Sequence, residues 1–352
     1  SNNTALGLCA LHENTTGACN SAVGAFALDA NTTGIRNNAF GYNSLTNTTE
    51  GNSNNSFGVN ALQQNTTGCC NVAMGQNALN ANTTASNNTA VGSYALTANT
   101  TGANSAAFGF CALASGTTAN LNTAIGNFAL RDTQNGCKNT AVGYQSMLDA
   151  TSADCNVALG AYSLANNTSA DLNTALGACS MYTNATGANN VAVGYGSLYS
   201  NTGSDNTAVG SGALDANTSA VNNTAVGKNA MGANTTGHRN TSVGKDSMAV
   251  NTTGCCNVSV GWGSLGSNTT ATGNTAVGAV ALTSNTTGIK NAALGESALY
   301  TNTTGCCNVA VGRQALYANT TANDNTAVGN NALFANTTGC QNTALGFNTL
   351  AT

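Results

Sequence analysis

The stretch N-T-T-G-C-C-N-V-A-V-G, Asn302 to Gly312, decides the fold because it recurs. It returns as N-T-T-G-C-C-N-V-A-M-G at Asn65 to Gly75 and as N-T-T-G-C-C-N-V-S-V-G at Asn251 to Gly261. Its closing glycine anchors a period. From Gly7, Gly24 and Gly41 to Gly194 the anchors are 17 residues apart. Gly210 then follows after 16, because N-T-G at Asn201 to Gly203 lacks one Thr, and the 17-residue step resumes to Gly346. The chain is therefore 21 coils with one single-residue deletion.

With the anchor as position 0, each coil reads G-x-x-[AS]-[LM]-x-x-N-T-T-[GA]-x-x-N-[TV]-[AS]-[VLIFM]. Position 4 is Leu or Met throughout, from Leu11 and Leu28 to Leu350; position 16 is large and apolar, as in Val23, Phe40 and Ile125. Position 13 is Asn except at Ser105. Asn, Thr and Gly dominate and no helical apolar spacing is sustained, so helix is excluded. The pattern predicts two short extended pieces per coil, N-T-A-V and x-x-A-L, joined by glycine and closed by a polar N-T-T-G turn. A 17-residue unit cannot bury its two large apolar residues alone and must stack on its copies. The expected fold is an all-β parallel β-solenoid, or β-roll, forming one continuous region over residues 1–352. At ~4.8 Å per coil it makes a rod of roughly 100 Å, with Leu and Val rows inside and an Asn row forming an amide ladder.

Adjacent strand residues point to opposite faces, so each strand carries one bulky and one small apolar face. Either the bulky face fills the coil and the small one stays partly wet, or the small face is buried against another chain. All 8 basic residues and every acidic one except Glu50 lie at positions 1, 2, 5, 6, 11 or 12, away from positions 3, 4 and 13 to 16.

The N-T-A-V-G-x-x-A-L-x-x-N-T-T-G unit resembles the head repeats of trimeric autotransporter adhesins, and more closely the related repeats in tail fibres of bacteriophages and large aquatic viruses. The resemblance covers the whole chain. It implies a left-handed, homotrimeric β-roll that presents or spaces adhesive parts. The adhesin heads differ in having a shorter coil, no N-T-T-G turn and few cysteines.

Only 6% of residues are charged, against about 25% in globular domains. With 8 Lys and Arg and a formal net charge of -4, nucleic-acid binding is not expected. No run of 18 apolar residues is present, so membrane insertion is not expected either. The chain starts with Ser and shows no leader, and it is read as a mature product or an excised segment, with coils cut at both ends offering strand edges for end-to-end filaments. His12 and His238 are the only histidines, and the acids are scattered singly. No catalytic pair, metal-ligand spacing or cofactor motif appears, and the chain is expected not to be an enzyme.

Tyr300, Tyr317 and Phe334 share position 5 in successive coils, as do Tyr182 and Tyr199. They predict an aromatic ladder, either structural or a glycan-stacking strip. The N-T-T turns supply N-glycosylation candidates at Asn14, Asn31, Asn65, Asn82, Asn99, Asn234, Asn251, Asn268, Asn285, Asn302, Asn319 and Asn336.

Thirteen cysteines occupy three positions: Cys9, Cys111 and Cys179 at 2; Cys69, Cys137, Cys255, Cys306 and Cys340 at 11; Cys19, Cys70, Cys155, Cys256 and Cys307 at 12. An odd number leaves one free or bonded to another chain. Cys137 and Cys155 are the intrachain disulfide candidate. The pairs 69/70, 255/256 and 306/307 either close rings of three disulfides between chains, close locally, or stay free. Pairs 255/256 and 306/307 lie three coils apart, roughly 14 Å, too far to bridge within one chain.

These features predict a non-catalytic structural shaft of an extracellular or virion-surface fibre or filament. Its partners would be itself, as homotrimer or filament, and a host receptor or surface glycan. The alternative from another class is a monomeric ice-binding or glycan-binding solenoid.

Overall fold

The computed structural model describes residues 2–351 and is all-β. Two compact units, Ser1–Asn173 and Thr174–Thr352, follow the same plan. Each is a parallel β-solenoid with a 17-residue period and one three-residue strand per coil, from Thr4–Leu6 to Val157–Leu159 in the first and from Thr174–Leu176 to Thr343–Leu345 in the second. Pairing is strictly in register, with Thr4, Ala5 and Leu6 opposite Ser21, Ala22 and Val23, and Thr207, Ala208 and Val209 opposite Thr224, Ala225 and Val226. The missing residue near Gly203 leaves register intact, with Val191 opposite Thr207 and Val193 opposite Val209. The turn absorbs the deletion.

Only N-T-A-V is extended. The x-x-A-L piece is a turn whose positions 2 and 4 both have left-handed backbone, for example Phe26 at φ 59° and Leu28 at φ 52°; position 12 is left-handed too, as in Arg36 at 58°. Such residues lack the alternation of a strand, so neighbours can face the same side. Positions 3 and 4 do so: Ala27 and Leu28 are both fully buried. The expectation of a second strand fails because φ > 0, costly for Leu, is imposed by coil-to-coil hydrogen bonding. The N–H of Leu28 donates upward to Ser44 at 3.0 Å and that of Phe26 downward to Leu8 at 2.8 Å.

The anchor glycine needs both properties that only glycine has. Gly24 sits at φ 130°, and a Cβ there would lie 2.6 Å from the carbonyl oxygen of Gly41 in the next coil. Close backbone approach thus fixes the row.

The strand faces resolve opposite to the expected Val-inside arrangement. Position 15, as Ala22, Ala39 and Ala73, is fully buried, whereas position 16 faces out, with Phe57 39% and Ile125 41% exposed. The cause is a thin cross-section. Positions 3 and 15 touch across the coil: Ser44 donates to the Ser56 hydroxyl at 2.7 Å, and Ser247 to that of Ser259 at 2.7 Å. Only Ala or Ser fits twice across that gap, so the small faces pack on each other within one chain.

The remaining interior is one Leu or Met per coil and two asparagine rows. At position 7, Asn82 donates to Asn65 Oδ1 at 2.9 Å and to the carbonyl of Ala85 at 3.0 Å. At position 13, Asn37 Oδ1 accepts the backbone N–H of Asn54 at 2.9 Å, while Asn37 Nδ2 donates to the carbonyl of Gly51 at 2.7 Å. Buried amides are tolerable here because neighbouring coils satisfy them. Where the position-7 row is interrupted by Thr48 and by Gly116, Thr133 and Ala150, the preceding Asn31 and Asn99 keep Oδ1 atoms without a partner.

Candidate functional site

What each unit presents to solvent follows from these rows. The strand's outer face carries positions 14 and 16, a charge-free ribbon of Thr, Val, Leu and Phe. Phe40 and Phe57 stack on it at 5.0 Å. Position 1 adds exposed rings such as Tyr195 and Trp262.

The aromatic ladder at position 5 is present. Tyr300, Tyr317 and Phe334 stack at 5.1 Å per step, nearly parallel, and Tyr182 stacks on Tyr199 at 5.2 Å. A longer series escaped the sequence reading. Tyr94, Phe110, Phe128, Tyr144 and Tyr162 alternate between positions 2 and 1 in five successive coils, edge to face at 5.4 to 6.2 Å. Same-position periodicity misses it because the rings zigzag. Arg131 lies 5.9 Å from the Phe128 ring and pairs with Asp132, its Nε 2.9 Å from Oδ1. The hydrogen bond from Arg131 holds the Asp132 carboxyl below its ordinary value, and burial, followed by the Asp132 charge, pushes Asp149 up.

The sequon asparagines lie inside. Asn31, Asn65, Asn82, Asn99, Asn234, Asn251, Asn268, Asn285, Asn302 and Asn319 are fully buried. Their Nδ2 atoms are spent on the ladder: Asn285 donates to Asn268 at 3.0 Å and to the Gly288 carbonyl at 2.9 Å. Glycan attachment at such an amide breaks these bonds. Asn14 and Asn336, at the ladder ends, are half-buried.

All thirteen cysteines are free thiols, with those at position 12 exposed and those at position 2 half-buried. Position 11 has a specific geometry. Its side chain accepts the backbone N–H of position 11 in the preceding coil: Asn52 Oδ1 from Ile35 at 2.8 Å, Asp154 Oδ1 from Cys137 at 2.7 Å, Asn323 Oδ1 from Cys306 at 2.7 Å. Cysteine does the same, with Cys69 accepting from Asn52 at 3.3 Å and Cys306 from Ile289 at 3.4 Å. The same thiols donate to Thr67 and Thr304 carbonyls, each at 3.3 Å. Cys137 and Cys155 are backbone neighbours, the N–H of Cys155 donating to the Cys137 carbonyl at 3.0 Å. Burial, and then the adjacent Cys256, push the Cys255 thiol up.

His12 Nδ1 is 2.9 Å from Glu13, and His238 stands at an exposed turn. Among the described residues no group of three or more His, Cys, Asp or Glu is placed to hold a metal ion, and no helix is long and apolar enough to cross a membrane. No family model and no curated protein matches the chain.

Proposed function

We propose that the chain is a non-catalytic structural shaft of an extracellular or virion-surface fibre, self-associated as a homotrimer, that supports adhesion to a host receptor or surface glycan. The observation that carries this reading is the outward apolar row at position 16, repeated in register beside the Thr and Val of position 14 along each unit. Contiguous exposed apolar surface of this kind marks an interaction face. A second copy of the chain is the occupant with the matching pitch and the same charge-free ribbon.

The area suits it. In the unit Thr174–Thr352, eleven strands at ~4.8 Å and three residues of ~3.3 Å give roughly 500 Å² per copy, so a trimer buries about 1,500 Å² in all. That reaches the range of specific interfaces. Three copies facing a common axis would cover the ribbon. The apolar rows, rather than the small faces, are the contact in this arrangement.

Light-scattering mass with and without reductant tests the proposal. A trimeric mass supports it, and its persistence in reductant assigns association to the ribbon rather than to cross-links between the 69/70, 255/256 and 306/307 pairs. A monomer under both conditions refutes it. One observation favours a second reading: Thr207, Thr224 and Thr241 stand in successive coils on the outward strand face, which is the hydroxyl array an ice-binding monomer requires. Thermal hysteresis separates the two.

A further inference from the structure

A notch of about 440 Å³ opens at the one shortened coil, lined by Tyr195, Gly196, Tyr199, Gly212, Asp215 and Asn229 among others. It exists because position 2 is Gly in two successive coils. Neither glycine is demanded by the backbone: Gly196 and Gly212 have φ of 61° and 67°, and the same row takes Cys179 at 56° and Asn229 at 55° in the flanking coils. Neither is demanded by backbone packing. A Cβ on Gly196 would meet nothing within 4 Å, and one on Gly212 would meet only the side chain of Asn229. What the pair of glycines does is leave space.

The walls have a chemistry. Tyr199 is held from below by stacking on Tyr182 at 5.2 Å, and the position-5 ring row ends there because the next coil carries Asp215. The upper face of Tyr199 is therefore left without a ring neighbour. Tyr195 stands beside it, 67% exposed. Asp215 makes no side-chain hydrogen bond among the described residues, and burial raises its pKa above the ordinary carboxylate value. Tyr199 is raised as well, by burial first and then by Tyr182, Cys179, Asp215 and Tyr195, and Tyr195, Tyr199 and Asp215 line the notch together. Asn229 donates to Asp246 at 3.3 Å, which leaves its Oδ1 to the notch. Aromatic surface together with unengaged acceptors suits a ligand with an apolar face and hydroxyl donors on its rim.

We propose that this notch binds a neutral pyranose unit of a glycan, its C–H face on Tyr199 or Tyr195 and its hydroxyls donating to Asp215 and Asn229. The volume lies in the range of small-ligand pockets. The carboxylate disfavours anionic sugars by like-charge repulsion. This assigns a binding site to the shaft itself and does not depend on its oligomeric state.

The test is saturation-transfer NMR on the full chain with methyl glucoside, methyl galactoside and methyl mannoside, beside sialic acid and tetramethylammonium. A neutral pyranoside is expected to bind and sialic acid to give no signal. Asp215→Asn and Tyr195→Ala should each weaken binding about tenfold, the loss expected from one charge-assisted hydrogen bond or one stacking face. Gly196→Asn, a residue the same row holds at Asn60 and Asn77, should abolish binding with unchanged melting temperature. Light-scattering mass should not change in any variant, which separates this result from the shaft proposal. Absence of binding by all three pyranosides, binding undiminished in Gly196→Asn, or binding of tetramethylammonium alone overturns the inference.

Discussion

The position-7 ladder makes an unusual prediction, that two mutations should cost little more than one. Asn268 donates to Asn251 Oδ1 at 2.8 Å and to the Ala271 carbonyl at 3.2 Å, and accepts from Asn285 at 3.0 Å. Asn268→Ala leaves two buried ladder groups unpartnered, Asn251 Oδ1 and one N–H of Asn285. The Ala271 carbonyl keeps a second donor in Asn257 at 2.9 Å. At about 1–3 kcal/mol per orphaned group, the single variant loses roughly 2–6 kcal/mol. Asn251→Ala does the same one coil earlier, since Asn251 donates to Asn234 at 2.9 Å. The double variant orphans only Asn234 Oδ1 and the Asn285 N–H, because the groups between them are gone together. The Gly254 carbonyl still receives Asn240 at 2.9 Å. Lost packing adds, but the orphan cost is paid once, so the coupling energy should be roughly 2 kcal/mol or more. Urea unfolding of wild type, both singles and the double, fitted with a nearest-neighbour repeat scheme, measures it. Additivity within about 0.5 kcal/mol would refute the ladder as a cooperative element.

Three further outcomes follow from single contacts. Gly244→Ala places a Cβ 2.5 Å from the Gly261 carbonyl oxygen at φ 137°, and should destabilise by roughly 3 kcal/mol or more, read as a lowered urea midpoint. Val209→Lys with Val243→Lys, both outward and 36% exposed, should shift stability by only about 0.5 kcal/mol each yet reduce the light-scattering mass. The depressed folded pKa of Asp132, set first by Arg131, means that its contribution is present above the unfolded pKa near 3.8 and is lost as pH falls through the folded value. Arg131→Ala should therefore lower the melting temperature at neutral pH and converge on wild type in acid; a constant gap would contradict the pairing.

The period, the anchor glycine, the buried Leu row and the existence of an amide ladder were legible because each is a row of one residue type at fixed spacing. The direction of the strand faces was not. Alternation says that Ala22 and Val23 point oppositely, but not which one points in; that depends on the gap between positions 3 and 15, a quantity set by three-dimensional closure. The left-handed backbone at Leu28 or Leu282 was hidden for a similar reason, since leucine advertises burial and gives no local sign of φ > 0. The orientation of the sequon asparagines was hidden on the same axis: N-T-T looks like a polar turn, yet its Asn turns inward while its threonines stay nearer solvent. Of the candidate surfaces, the position-5 ladder was visible as a column, whereas the Tyr195 notch depends on two glycines, a ring row that ends, and a carboxylate one coil away.

The cysteine doublets can now be divided by function. At position 11 the requirement is a short side chain able to accept a backbone N–H from the coil before, and Asn52, Ser86, Asp154 and Asn323 meet it with oxygen. Cys306 meets it with sulfur at 3.4 Å while its thiol donates to Thr304. Position 12 carries no such duty, and Cys307 is exposed there. Cys306→Asn should then preserve or raise stability, because an amide oxygen is the better acceptor, while Cys306→Ala leaves the Ile289 N–H without this partner and should cost about 1 kcal/mol. Cys307→Ala should be nearly silent in the reduced monomer. If Cys306→Ala and Cys307→Ala unfold at the same urea midpoint, the hydrogen-bonding account of position 11 is wrong, and the two sulfurs must be explained together.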